Sequence, residues 1–503
     1  MIRVKVCSIG LLTLLTYSGQ SAVTIPTSKG DNGRSGLTPS ETTLTLQNVN
    51  SNTFGLLFER PVSGDMYPQP LIVSGLSIGG GTHNVVFLGT ASNNVYAYDA
   101  DVATNTSPYW SVNLGTPVPQ ADVDCVASDI ATSVGIIGTP AIDTNSLTMY
   151  LVAKNKNTNG TYHQWLHALD ITTGAEKFGG PVEILPGVSF DPKLNNQRPG
   201  LLLQGGNVYI AWSSHNDCGT YHGIIAAYNA GTLVQTGAWN DTPTGTKGGI
   251  WMSGGGLIGD GTHIYFSVGN GDFNASTGGG NYGESMVGLD NSLNVLTYFT
   301  PSGWRSLNGH DVDLGGCPVL LIPGTRLLVT GGKDHNLYLV NADSMGGLAG
   351  GLQSFSIASG EIKGGMVAFN GPAGLLVYVQ PSGTSLEAYK MVSGLFSPTT
   401  PFWKSPIPPP TGIPGGQLWL SGTGTNAVLW ETIPFSANAE HASVPGVLRA
   451  FNPSTGVEIY DSHQNLARDD FGNFAKNPSP VVANGKVYVP TFSGHLAVYG
   501  LLP

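Results

Sequence analysis

One pattern returns eight times along this chain: an apolar strand followed by a turn, often built on Asp or Asn. It reads VYAYDAD (95–101), LHALDITTG (166–174), IIAAYNAGT (224–232), MVGLDNSLN (286–294), LYLVNADSM (337–345), LEAYKMVSG (386–394), LRAFNPSTG (448–456) and LAVYGLLP (496–503). A second strand precedes each copy, as in VVFLGT (85–90) or VYVPTF (487–492), and before it comes a Gly/Pro-marked first strand, as in GTPAID (138–143) or PSPVVA (478–483). The first strands start near residues 68, 139, 200, 253, 316, 365, 416 and 479. Their mean spacing of about 59 residues is too long for solenoid repeats of roughly 20–30 residues and suits a radial array of small sheets. Each copy supplies strands a, b and c, and the stretch after the turn supplies d. The expected fold is all-β, an eight-bladed β-propeller of four-stranded antiparallel blades.

The last copy ends at its strand c and lacks an outer strand, while residues 54–60 (FGLLFER) precede the first blade and have none of their own. Pairing the two covers both open edges, so the propeller is expected to be closed by this N-terminal strand. Residues 46–503 then form one domain, and residues 23–45, rich in Thr, Ser and Gly, are expected to be an exposed arm. Residues 1–22 have the form of a secretory signal peptide: Arg3 and Lys5 lead an apolar stretch from Val6 to Tyr17, too short to cross a bilayer, with Gly19 and Ser21 at the cleavage pattern. No later stretch is apolar enough to span a membrane. Secretion to the periplasm, cell surface or medium follows.

Loss of Arg3 and Lys5 with that segment moves the formal net charge from −11 to −13. This sign excludes nucleic acid and anionic membrane as natural partners, and a monomer is expected. The exported chain keeps Cys125, Cys218 and Cys317, an odd number that allows one disulfide. Cys125 lies in the long loop between blades one and two, and Cys218 in the b–c loop of blade three. Both loop types rise on the same face, so a Cα separation of about 5.5–6 Å is within reach, and Cys125–Cys218 is the expected pair. Cys317, in the innermost strand of blade five, is expected to stay a buried thiol. Sequons begin at Asn105, Asn159, Asn240 and Asn274.

The strand-and-turn pattern, with KDHNLYLVNA (333–342) and GKVYVPTFSGHLAVYG (485–500), resembles the pyrroloquinoline-quinone-type propeller repeat of the quinoprotein alcohol dehydrogenase-like superfamily. Over residues 45–503 the chain is similar to a group of secreted bacterial proteins of that superfamily, on segments such as THNVVFLGT, IIGTPAID, LHALDITTGAEKFGGP, NQRPGLLL and GNFAKNPSPVVANGKVYV. The resemblance implies the propeller fold and makes pyrroloquinoline quinone and Ca²⁺ candidate cofactors. It departs from the quinone-binding enzymes in having no adjacent cysteine pair, and no CxxCH haem motif is present.

In a propeller the d–a and b–c loops project on one face, and only 11% of this chain is charged. Its scarce polar side chains fall heavily on those loops. Candidate ligand-binding residues there are Gln197, Trp251, Asn270, Asp272, His310, Asp311, Lys333, Asp334 and Asp469. Trp304 and Trp419 fall near the same openings. Aromatic faces among fixed polar groups suit a carbohydrate or another polyol. Arg198, His215, Tyr221 and His222 form a candidate catalytic cluster: a histidine base beside an arginine that grips a carboxylate would support a lyase acting next to a uronate. The plainer reading is that the two histidines pin their loop by hydrogen bonds. Asp311 and Asp313 are spaced as weak Ca²⁺ ligands, and no complete metal, nucleophile or phosphate motif is present.

Three functions therefore remain open. The leading one is binding of a small-molecule or glycan ligand, a carbohydrate or another polyol, at the axial mouth. The others are a quinone-dependent oxidoreductase of alcohols or sugars, with Lys333, Asp334 and Trp residues around the cofactor, and a polysaccharide lyase or hydrolase built on the blade-three histidines.

Overall fold

The computed structural model describes residues 22–125, 129–252, 254–357, 360–406 and 412–503. Apart from Ala22, the expected signal peptide lies outside the described residues. Eight antiparallel sheets are arranged as the repeats require. Their innermost strands are Leu71–Ile78, Ala141–Asp143, Leu202–Gln204, Ile258–Gly259, Leu320–Leu321, Val367–Gly371, Gln417–Ser421 and Val481–Ala483.

Alternation along the strands explains the packing. In Thr148–Lys156, strand b of blade two, Met149, Leu151 and Ala153 enter the cluster shared with blade one. Tyr150 and Val152 enter the cluster shared with blade three. Both faces of the sheet are thus covered, and each fully buried Leu contributes about 1.5–3 kcal/mol. The Asp or Asn after strand c has a local task. The Oδ1 atoms of Asp99, Asp170, Asn229, Asp290, Asn341 and Asn452 each accept a backbone N–H two residues on, at 2.8–3.0 Å. This side-chain turn starts the reversal into strand d.

Blade eight is closed by the N-terminal strand. Phe54–Pro61 pairs antiparallel with His495–Leu501, from Phe54 opposite Leu501 to Pro61 opposite His495, with a bulge between Leu56 and Phe58. Phe54 anchors it: its ring lies 4.9 Å from Tyr460, 5.3 Å from Trp430 and 6.1 Å from Tyr499.

Residues 23–45 are not an exposed arm. Val23, Ile25, Thr27, Ser28, Lys29, Arg34, Ser35, Thr38, Glu41 and Leu44 are all buried. The segment fills the axial tunnel. Ile25 exchanges backbone bonds with Ile72, Pro26 accepts from Ile142, Asn32 accepts from Gly259, and Gly36 accepts from Leu420. Leu37–Thr38 adds a short parallel strand to blade seven. Arg34 donates to the carbonyls of Leu201, Leu257 and Ser28 and to Thr27 Oγ1. Innermost strands have no neighbour on their axial side, so their free backbone groups need partners. A polar, Gly-rich segment that can bend to each blade supplies them. Trp419 belongs to this plug too, since it is fully buried and donates Nε1 to Thr38 Oγ1 at 2.8 Å.

Candidate functional site

The innermost strands begin at the d–a loops, and on that face the tunnel opens into a cavity of about 280 Å³. Arg198, Trp251, Lys363 and Lys476 reach it from segments just ahead of strand a in blades three, four, six and eight. Asp311 and Asp313 follow the short helix Trp304–His310. Asp217, Lys333 and Glu440 come from b–c loops. The loop chemistry explains their placement. Asn216 and Asp217 take positive φ values of 48° and 56°, and Asp311 caps its helix in the same left-handed region at 56°, conformations that Asn and Asp adopt more readily than other non-glycine residues. The Cys125–Cys218 disulfide, with a Cα separation of 5.8 Å, ties the blade-three loop to the loop after blade one, and Cys317 is a buried free thiol.

Cations and carboxylates alternate around this wall. Arg198 Nη1 lies 3.0 Å from Asp129 Oδ2, and Lys476 Nζ 3.1 Å from Asp129 Oδ1. Lys476 also donates to the Asp129 and Glu440 carbonyls. Lys363 Nζ lies 2.7 Å from Glu440 Oε1 and 2.8 Å from Glu361. Lys333 Nζ sits between Asp311, at 3.0 Å, and Asp313, at 2.6 Å. Burial alone would raise the Asp129 pKa, but Lys476 and Arg198 overcome it and hold the carboxyl well below the usual range. Burial would lower that of Lys333, and Asp313 and Asp311 push it up instead. Trp251 forms a flat apolar surface in the cavity, with the Arg198 guanidinium 5.7 Å from its ring and Tyr221 edge-on at 6.4 Å. A Cβ at Gly249 would come within 2.7 Å of Trp251 Nε1, so glycine is what lets the indole sit there. Arg198 is only partly engaged: its Nε is buried and has no hydrogen-bond partner among the described residues.

Of the residues expected from sequence, Arg198, Trp251, Asp311 and Lys333 line this cavity. Asn270 stands behind it, donating Nδ2 to Asp311 at 2.6 Å. The histidine pair is absent from the lining. His215 is fully buried, 2.9 Å from Lys154 Nζ, and burial followed by Lys154 lowers its pKa far below the ordinary value. His222 is buried with Nδ1 2.9 Å from Thr242 Oγ1. Tyr221 donates its hydroxyl to Asp217 at 2.5 Å and braces the loop. All three side chains are thus bonded within the protein, to Lys154, Thr242 and Asp217. Gln197 donates to Pro199 O, Asp272 accepts from Thr246, and Asp334 accepts from Asn336 and Tyr338. His310 ends an exposed helix turn, bonded to Ser306 O. Asp469 lies at the closing strand, where it pairs with Arg468 and accepts from Leu56 N. Lys363, Glu440, His441 and Asn477 line the cavity without having been singled out. All four sit on d–a or b–c loops, so the loop rule applied evenly would have found them.

The two suggested cofactor components fare differently against these residues. The Arg198 guanidinium beside the Trp251 indole suits an anionic aromatic ring. A divalent cation on Asp311 and Asp313 does not fit, because the Lys333 ammonium lies between them. Among the described residues no three His, Cys, Asp or Glu side chains are grouped as metal ligands, and no helix is long and apolar enough to cross a membrane.

No protein-family model and no curated protein sequence matches the chain. Solved structures do match its fold. The quinohemoprotein alcohol dehydrogenase of Comamonas testosteroni is similar over 96% of this chain and 81% of its own, at 14% identity and a TM-score of 0.63. A europium-containing methanol dehydrogenase is similar over 95% and 98%, at 14% identity and a TM-score of 0.61. BamB from Moraxella catarrhalis is similar over 89% and 99%, at 12% identity and a TM-score of 0.52. The eight-bladed fold is therefore the one this chain shares with these structures.

Proposed function

We propose that this is an exported binding protein whose axial cavity takes a small acidic molecule with a flat face, an acidic sugar being the class it suits best. The observation that carries this reading is Arg198. Its guanidinium lines the cavity by the Trp251 ring, with Nη1 held by Asp129. A uronate carboxylate would complete that guanidinium while the apolar face of its ring lies on the indole. Lys333, Lys363 and Lys476 stand paired with carboxylates on the same wall, and these paired groups can donate to and accept from sugar hydroxyls. The disulfide accords with an oxidising compartment outside the cytoplasm. A lyase built on His215 and His222 finds no support, because neither ring lines the cavity.

The test is tryptophan fluorescence and calorimetry with glucuronate, galacturonate and their neutral hexose counterparts. The acids are expected to bind and the neutral sugars to bind more weakly. Arg198→Gln is expected to lower acid affinity by about 10- to 100-fold, the weight of a charge-assisted bond of about 1.5–3 kcal/mol, with the melting temperature followed as a folding check. Equal binding of acid and neutral sugars would overturn the reading.

The second reading is a quinone-dependent oxidoreductase, favoured by the fold shared with two alcohol-oxidising dehydrogenases. Arg198, Lys363 and Lys476 would hold the carboxylates of pyrroloquinoline quinone, and Trp251 its ring. Bound there, the quinone would supply a two-electron acceptor for alcohol oxidation. Titration with the quinone, with and without Ca²⁺, followed by dye reduction with alcohols and sugars, separates the two readings.

A further inference from the structure

A second cavity of about 200 Å³ adjoins the first. The two share Asp129, Glu440, His441 and Lys476. The rib between them is the Lys476 ammonium, held by Asp129 and the Glu440 carbonyl. The chemistry of the two cavities differs. The second has no Arg198, Lys333 or Lys363, and its wall carries the Tyr67 and Phe492 rings, 4.7 Å apart and tilted by 47°. Thr132 and Ser443 add hydroxyls, and three alanines fill much of the remainder. Tyr67 is fixed in place, since its hydroxyl accepts from Ala131 N at 2.7 Å.

We infer that the two cavities are consecutive subsites for a disaccharide unit, an acidic pyranose at Arg198 and Trp251 and a neutral pyranose against Tyr67 and Phe492. This rests on the acidic-sugar reading of the first cavity. A neutral sugar presents an apolar C–H face to aromatic rings and hydroxyls at its rim, which is what the second cavity offers. A second acidic unit would gain little there, because the nearest cation, Lys476, is already engaged by Asp129. The shared rib sets the linkage: both rings contact the Asp129–Lys476 pair, one from each side.

Calorimetry of the disulfide-intact mature protein tests this with three probes: glucuronate, a glucuronosyl-hexose disaccharide and a di-glucuronate. The glucuronosyl-hexose is expected to bind at least about 10-fold more tightly than glucuronate, and the di-glucuronate with no such gain. Ser443→Trp, at an exposed position on the rim of the second cavity, is expected to abolish the gain while leaving glucuronate affinity unchanged. Phe492→Ala is a second variant with the same expectation, and the melting temperature of each shows that it folds. No gain in the unmodified protein, or an equal loss for both sugars in folded Ser443→Trp, would overturn the subsite assignment while the acidic-sugar reading stood. Failure of glucuronate itself to bind would remove both.

Discussion

Lys29 shows how much a single residue in the plug can reveal. Its ammonium is buried on the axis, donating to Leu418 O at 2.9 Å and Ser479 Oγ at 2.6 Å, with no carboxylate among its bonded partners. Burial lowers its pKa from 10.5 to about 7, against a smaller opposing effect from Cys317. The unfolded chain therefore holds this proton over a range in which the folded chain has released it, and stability rises as pH rises above about 7. Lys154, beside His215, is lowered to about 7 in the same way and contributes with the same sign. Asp241 and Glu284, whose pKa values burial raises well above the ordinary range, act in the opposite sense, so the test is a difference: between about pH 7 and 8 the melting temperature of Lys29→Met is expected to rise less with pH than that of the unmodified protein. An unchanged slope would show that the ammonium keeps its proton. None of this was legible in the sequence, where Lys29 sits in a Thr/Ser/Gly-rich stretch that reads as solvent-exposed. Arg198 and Trp251 could be picked out because charge and Trp are rare here and both fall on axial loops. His215 sits on the same kind of loop but is buried, since loop position does not say whether a ring faces the cavity or the protein beneath it.

At the scale of elements, strands were legible and the segment without regular structure was not. Period-two alternation and the Asp or Asn turn repeat in almost every blade, and the unpaired LAVYGLLP called for a partner that FGLLFER supplies. The plug has no such signal because its hydrogen bonds go in turn to blades one, two, three, four, seven and eight rather than to one ladder. Two deletions separate the roles of these elements. Removing residues 22–45 leaves Phe54–Pro61 in place but strips the axial bonds of Arg34 and of the backbone around it, and is expected to lower the melting temperature without causing aggregation. Removing residues 22–61 also exposes the edge of His495–Leu501, and is expected to cause aggregation. Light scattering alongside thermal melting reads both outcomes. A plug deletion as stable as the parent would mean that water serves the innermost strands equally well. Arg34→Ala is the milder version, expected to cost about 3 kcal/mol in denaturant unfolding for a buried guanidinium with five bonds.

For the whole molecule, the repeat count fixed the architecture, and the disulfide followed from asking which loops share a face. The bridge spans 93 residues. In the chain-entropy account it stabilises by about 4–5 kcal/mol. Replacing both Cys125 and Cys218 with Ser is expected to lower the melting temperature by several degrees and to weaken ligand binding, because Asn216 and Asp217 next to Cys218 lose their tether. Non-reducing peptide mapping is expected to return Cys125 joined to Cys218 and Cys317 as a free thiol. The plug adds a constraint of another kind. With the tunnel filled from the far side by residues 25–38, the ring of blades is a cup and not a pipe. A long polysaccharide cannot be threaded through it. Whatever enters from the loop face must leave by the same side.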